Sequence, residues 1–181
     1  RQVTVEGETR PLPAPFFVLA TQNPRTQLGV FPLPESQLDR FLMCISLGYP
    51  PAEAERALLA EVDRRSLLDA QAPMLDGPQL LRMQAAVADV TTRPALLDYI
   101  LALVHATRAH AGLRHGVSPR AGLALKRAAQ AWAFLHGRAG VLPEDVQAVF
   151  AAVIDHPLLA APDAGNRAPD AAALLATVAI P

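Results

Sequence analysis

Residues 16–24 run Phe16-Phe17-Val18-Leu19-Ala20-Thr21-Gln22-Asn23-Pro24, an apolar stretch framed by Pro15 and Pro24 that turns polar at its end. Strands covered on both faces of a parallel sheet carry such uninterrupted apolar runs, and ligands of these sheets sit beyond the carboxyl ends of the strands. The pattern therefore predicts a buried strand over 16–20, with Thr21, Gln22 and Asn23 at a ligand-facing end. Asn23 is the first candidate site residue, because one amide can donate to a phosphate oxygen and accept from water. An Asn-Pro turn that merely closes a strand would use the same residues.

Upstream, Val3 and Val5 alternate with polar positions, the chain turns around Glu6-Gly7-Glu8, and Thr9 and Leu12 return, which predicts a β-hairpin over 1–12. Downstream, a loop with Gly29, Pro32 and Pro34 leads to a short helix over about 35–43. Leu38, Phe41 and Leu42 form its apolar face, and Asp39 and Arg40 lie on the other. Cys44-Ile45-Ser46-Leu47 predicts a second sheet strand, and Gly48-Tyr49-Pro50-Pro51 breaks the pattern. A domain boundary is expected there, with an α/β part over 1–48 and a helical part over 49–181.

Beyond the break the apolar spacing is helical. Residues 52–63 carry Leu58, Leu59 and Val62, whereas 65–79 hold too many breakers for a long helix. Pro94 opens a helix with Leu97, Ile100, Leu101 and Val104 on its core face. Ser118-Pro119 supplies an N-cap and a first-turn proline for a helix with Leu125, Ala128, Ala129, Trp132 and Leu135. Pro143, followed by Glu144 and Asp145, opens another with Val146, Val149, Phe150 and Val153. Residues 156–169 are loop-like, and a last short helix is expected over 171–178. The fold class is thus α/β followed by all-α.

The 51% apolar content of the 181 residues suffices for a core. A net charge of −1 leaves no global attraction for nucleic acid or an anionic membrane surface, so neither is an expected partner. The lone Cys44 excludes an internal disulfide and a cysteine-based zinc cluster and favours the cytoplasm. The five histidines pair with no cysteine or acid in a metal-site spacing, so no metal ligand is assigned. No apolar run approaches the ~20 residues that cross a bilayer.

Three motifs, Ala20-Thr21-Gln22-Asn23-Pro24, Pro32-Leu33-Pro34-Glu35-Ser36-Gln37-Leu38-Asp39-Arg40-Phe41 and the distant Gly116-Val117-Ser118-Pro119-Arg120-Ala121, resemble the MoxR family of AAA+ ATPases in order and spacing. The resemblance implies the last part of a P-loop AAA+ core followed by a helical lid. It makes Asn23 sensor 1, Arg40 the arginine finger that reaches a neighbouring subunit's nucleotide, and Arg120 sensor 2, projecting from the lid toward ATP. It further implies ATP and magnesium as cofactors, a homo-oligomeric and hexameric ring, and a chaperone-like remodelling of client enzymes. Partners with a von Willebrand factor A domain, and cofactor insertion into enzymes such as methanol dehydrogenase, belong to the same implication.

Local physics alone makes Arg40 a solvated arginine on a polar helix face. Arg120 is different, because a cation in the first turn of a helix opposes the macrodipole, and an anion at that end repairs the conflict. The family's phosphate-binding loop needs a Gly-Lys-Ser/Thr signature. Lys126 is the one lysine here and follows Leu125, and no apolar strand ends in an Asp-Glu pair. The chain opens on Arg1-Gln2-Val3, so a piece of a longer ATPase is expected, inactive by itself. The alternatives are a magnesium chelatase or minichromosome maintenance type of AAA+ protein, and a helical interaction module without catalysis. One departure from the family pattern is Leu142 before Pro143, where a hydroxyl cap is usual.

Overall fold

The computed structural model describes residues 2–21, 34–60, 69–111, 113, 116–154 and 171–181. They fall into two compact units, Arg1–Phe17 with Ile45–Met83 and Val18–Cys44 with Gln84–Pro181.

The first unit holds the hairpin of β1 (Gln2–Val5) and β2 (Glu8–Pro11), antiparallel with Val3 opposite Arg10 and Thr4 opposite Thr9. Glu6 and Gly7 both have positive φ, 54° and 84°, the backbone that lets a two-residue turn follow the twist of its strands. The Thr4 and Thr9 hydroxyls meet at 3.0 Å and Arg10 pairs with Glu8 at 2.8 Å. Both pairs are exposed and add at most about 1 kcal/mol each. α1 (Glu35–Leu38) belongs to the second unit, and α2 (Ala52–Ala60), in the first, buries none of its residues.

α3 (Gly77–Asp89) carries the chain across the division at Met83–Gln84. Its start is a capping box: Gln79 N donates to Asp76 Oδ1 at 2.6 Å, and Asp76 N donates to Gln79 Oε1 at 2.7 Å. The sequence reading missed this helix, although Asp76-x-x-Gln79 is its signature.

The second unit holds α1 (Glu35–Leu38), α4 (Pro94–Ala109), α5 (Pro119–Leu135), α6 (Pro143–Ile154) and α7 (Ala171–Ala176). α5 and α6 form its most extensive helix contact. Ala121, Ala128, Ala129 and Ala133 line the inner face of α5, and such small side chains let α6 bring Val146, Val149, Phe150 and Val153 close. The expected core face of α6 is the observed one. On α4 the buried stripe is Leu96, Tyr99, Ile100, Leu103, Val104 and Thr107, whereas Leu97 and Leu101 are exposed. Leucines lie on both sides of α4, so apolar spacing alone does not fix its face, and Tyr99 and Thr107 enter the core with their polar atoms bonded. Trp132 and Leu135 on α5 also face outward, and the narrow alanine seam takes Ala133 in their place.

Several buried polar groups in this unit are tied to backbone, while Thr92 Oγ1 and Arg138 Nε are buried without a hydrogen-bond partner among the described residues. Gln130 Nε2 donates to Val90 O at 2.7 Å, and a parallel bridge joins Thr91 to Gly140, with Thr91 N on Ala139 O and Val141 N on Thr91 O, both 2.9 Å. Leu142 lacks a capping hydroxyl, but the end of α6 is satisfied from the other side. Asp145, 1% exposed, accepts the Leu142 N–H at 2.9 Å and is paired with the Arg138 guanidinium.

Two predicted strands are not observed. Residues 16–20 have no regular structure, with Phe17, Val18 and Leu19 exposed, the last at 84%. Residues 44–47 likewise have no regular structure: Cys44 N donates to Ala152 O of α6 at 2.7 Å, and Leu47 is 90% exposed. A strand needs a neighbour for its N–H and C=O groups. Among the described residues the β1–β2 pair is the one ladder. The helix expected over 35–43 ends at Leu38, so Asp39 and Arg40 stand in the turn after it, where Arg40 N bonds Gln37 O at 3.1 Å. The helix expected over 52–63 is described to Ala60, and the expected loop at 156–169 lies outside the described residues.

Candidate functional site

The candidate site is built at the amino end of α5, and its foundation is the last turns of α4. Thr107, wholly buried, donates its hydroxyl to Val104 O at 2.7 Å and accepts from Val117 N at 3.1 Å. Arg108 Nε donates to Val117 O at 3.1 Å. Successive residues of α4 thus satisfy both backbone groups of Val117, which is itself buried. Gly116 passes against the backbone of Arg108, where a Cβ would lie 2.6 Å from Arg108 N. The chain that enters α5 is therefore fixed on both sides before the helix begins.

Ser118 follows as the N-cap, with φ −70° and ψ 163°, and its Oγ accepts from Ala121 N at 3.2 Å. The same hydroxyl donates to Asp39 Oδ1 at 2.6 Å, across 79 positions of sequence. Pro119 and Arg120 make the first turn. The Arg120 side chain is 60% exposed, and its Nη1 lies 4.0 Å from Asp39 Oδ2, a carboxylate 23% exposed.

Asp39 thus supplies the anion that the helix end and Arg120 both lack. At 4.0 Å, with Arg120 largely in water, this pair contributes no more than about 1 kcal/mol. It leaves the guanidinium open to a stronger anion. The positive end of a helix with an exposed arginine beside it suits a phosphate.

Arg40 follows Asp39 and is exposed, with no ion pair among the described residues. Asn23 lies outside the described residues. The structure brings Arg120 and the Asp39-Arg40 turn to one end of α5. What sequence reasoning missed is the bond between Asp39 and Ser118, and the part of Thr107 and Arg108 in holding Val117. Arg108 is exposed, yet its Nε reaches the chain before α5. Among the described residues no group of three His, Cys, Asp or Glu is placed to hold a metal ion. No helix among them is long and apolar enough to cross a membrane.

Comparison with known proteins bears on the fold and the family. Residues 105–176 match the AAA lid domain, and residues 1–43 match the ATPase family associated with various cellular activities (AAA). A crystal structure from Cytophaga hutchinsonii, of a protein assigned as an ATPase, superposes with a TM-score of 0.86 at 35% identity over 99% of this chain and 58% of that one. The fold is that of an AAA+ protein, the end of the α/β core with its helical lid.

The chain is 40% identical to Chaperone MoxR1 of Mycobacterium tuberculosis, over 91% of this chain and 45% of that protein. It is 39% identical to the uncharacterized protein YeaC of Bacillus subtilis, over 90% and 51%. It is 37% identical to Protein MoxR of Paracoccus denitrificans, over 80% and 48%. The chain belongs to the MoxR family of AAA+ ATPases, and it spans about half the length of these curated relatives.

Proposed function

We propose that the intact protein binds and hydrolyses ATP with magnesium in a homo-oligomeric ring of six, and uses that cycle to remodel or activate client proteins. In this reading Arg120 is sensor 2, Arg40 is the finger offered to a neighbouring subunit, and Asn23 is sensor 1. Residues 1–48 belong to the AAA+ core and 49–181 to the lid. Family membership supports the ATPase reading, and the name of the M. tuberculosis relative supports the chaperone-like task. A von Willebrand factor A domain partner and a cytoplasmic location complete the proposal, the first from the family resemblance and the second from the lone Cys44.

The observation that carries the reading is Arg120, held at a preorganised helix end yet three-fifths exposed and only loosely paired. That fits a nucleotide phosphate. Magnesium, when bound with ATP, neutralises charge developing on the transferred phosphoryl group. Its ligands are not assigned to the described residues. The part of this chain is to aim two guanidinium groups. With no Gly-Lys-Ser/Thr loop in its sequence, the 181-residue chain alone is expected to show no magnesium-dependent ATP turnover above a heat-treated control.

The deciding experiment is Arg40→Ala in the full-length protein. A finger acts on charge in the transition state, so turnover should fall by about 10³–10⁵ while ATP binding is spared. Mixed with a variant lacking the phosphate-loop lysine, it should regain part of its activity, because some interfaces then join an intact finger to an intact loop. Equal losses of affinity and turnover, or dead mixed rings despite proven subunit exchange, return Arg40 to a solvated surface arginine.

A further inference from the structure

Asp39 stands between two arginines that the proposed function assigns to two different nucleotides. Along the chain it adjoins Arg40, whose Cα is one peptide unit away, about 3.8 Å. Through space its Oδ1 accepts the Ser118 hydroxyl at 2.6 Å and its Oδ2 faces Arg120 Nη1 at 4.0 Å. The two contacts differ in kind. The first has the length of a charge-assisted bond, and the second is well beyond the 2.7–2.9 Å or so of a direct one. Ser118 does not need Asp39 in order to cap α5, since its Oγ already accepts from Ala121 N. The acid therefore adds something to the cap, namely a tie from the helix end to the turn that bears Arg40. Arg120 is free to leave Asp39 for a phosphate while the Ser118 bond stays closed.

We propose that Asp39 is a positioning residue that ties Arg40 to the amino end of α5, so that engagement of Arg120 by one subunit's nucleotide sets the position of the finger offered to the next. The coupling rests on the assigned roles of Arg40 and Arg120. It makes nucleotide occupancy at one site a condition for hydrolysis at its neighbour. The strong contact, through Ser118, transmits the movement, and the weak one, to Arg120, is the contact the phosphate replaces.

The test measures turnover, ATP affinity and nucleotide-free thermal stability of the full-length protein in parallel. Asp39→Ala should lower kcat by about 10²-fold, the scale of a small misplacement of a reacting group, with ATP affinity as in wild type and a modest loss of stability from the broken Ser118 bond. Asp39→Asn keeps an oxygen for the Ser118 hydroxyl and should recover most of the loss. Ser118→Gly removes the hydroxyl while retaining a good N-cap residue, and should give the same loss as Asp39→Ala. Combining Asp39→Ala with Ser118→Gly should be no worse than either alone, because both break one tie.

Wild-type turnover in Asp39→Ala beside a dead Arg40→Ala would overturn the coupling and leave the finger intact. Losses that multiply in the double variant, or ATP affinity falling in step with turnover, would overturn it as well. Should Asp39→Ala not fold, Ser118→Gly decides the matter from the other side of the bond. An active Arg40→Ala sinks the finger reading first and the coupling with it.

Discussion

The interior between α4, α5 and α6 and the amino end of α5 are neighbours in one unit, yet they follow opposite rules. In the interior every large side chain is covered, and the buried amide of Gln130, hydroxyl of Thr107 and carboxylate of Asp145 each have partners. At the helix end a cation sits where the dipole disfavours it, its counter-charge is 4.0 Å away, and a second arginine stands exposed beside that acid. The first arrangement minimises free energy within the chain. The second leaves favourable interactions unmade, which suits a ligand that is to supply them.

Substitutions should separate the two regions by what they damage. Phe150, fully buried on α6, should have the largest effect on folding: Phe150→Ala is expected to cost about 3–5 kcal/mol, read from denaturant midpoints. A cost well below that range would mean that the interior collapses around the gap and is less closely packed than it looks. Thr107 belongs to both regions, so its replacement sharpens the boundary between them. Thr107→Val keeps the shape but strands the buried Val117 N–H, a loss of about 1–3 kcal/mol. It should also loosen the approach to α5, and hydrogen exchange at Val117 and Ala121 should accelerate more than exchange within α6.

Ser118→Ala removes a side-chain cap and should cost about 1 kcal/mol by the same denaturation measurement. Arg120→Ala should change stability least. It relieves the dipole conflict and gives up the loose pair with Asp39, and the two opposed terms are each at most about 1 kcal/mol. A large loss of nucleotide-free stability in Arg120→Ala would erase the contrast, because Arg120 would then belong to the structural ion pairs.

How much of this was legible in the sequence depends on where each element finds its partners. α6 was readable down to Val146, Val149, Phe150 and Val153, because a helix bonds its own backbone and only its stripe of side chains answers to the rest of the chain. The Ser118-Pro119 start of α5 was readable for the same reason. The face of α4 was not, since Tyr99 and Thr107 count as polar until Gln147 is seen donating to the Tyr99 hydroxyl and Val117 to Thr107. The runs at 16–20 and 44–47 have strand composition, but a strand's identity lies in the neighbour that pairs with it.

The site was legible in the same uneven way. Arg120 declared itself by breaking a local rule, and Arg40 emerged through a motif. Nothing in one sequence announces a bond between Asp39 and Ser118, whose partners lie 79 positions apart.

The crossing of Gly116 over Arg108 bears on how this region tolerates change. Even the methyl group of alanine would collide there with backbone, and backbone cannot swing aside as a long side chain can. A library randomised at 116 and selected for folded protein should return glycine almost alone, while one randomised at the exposed position 97 should return many residues. Variation in this loop is thus channelled to other positions, and the register of Ser118 and Arg120 on α5 is protected by a residue with no side chain at all.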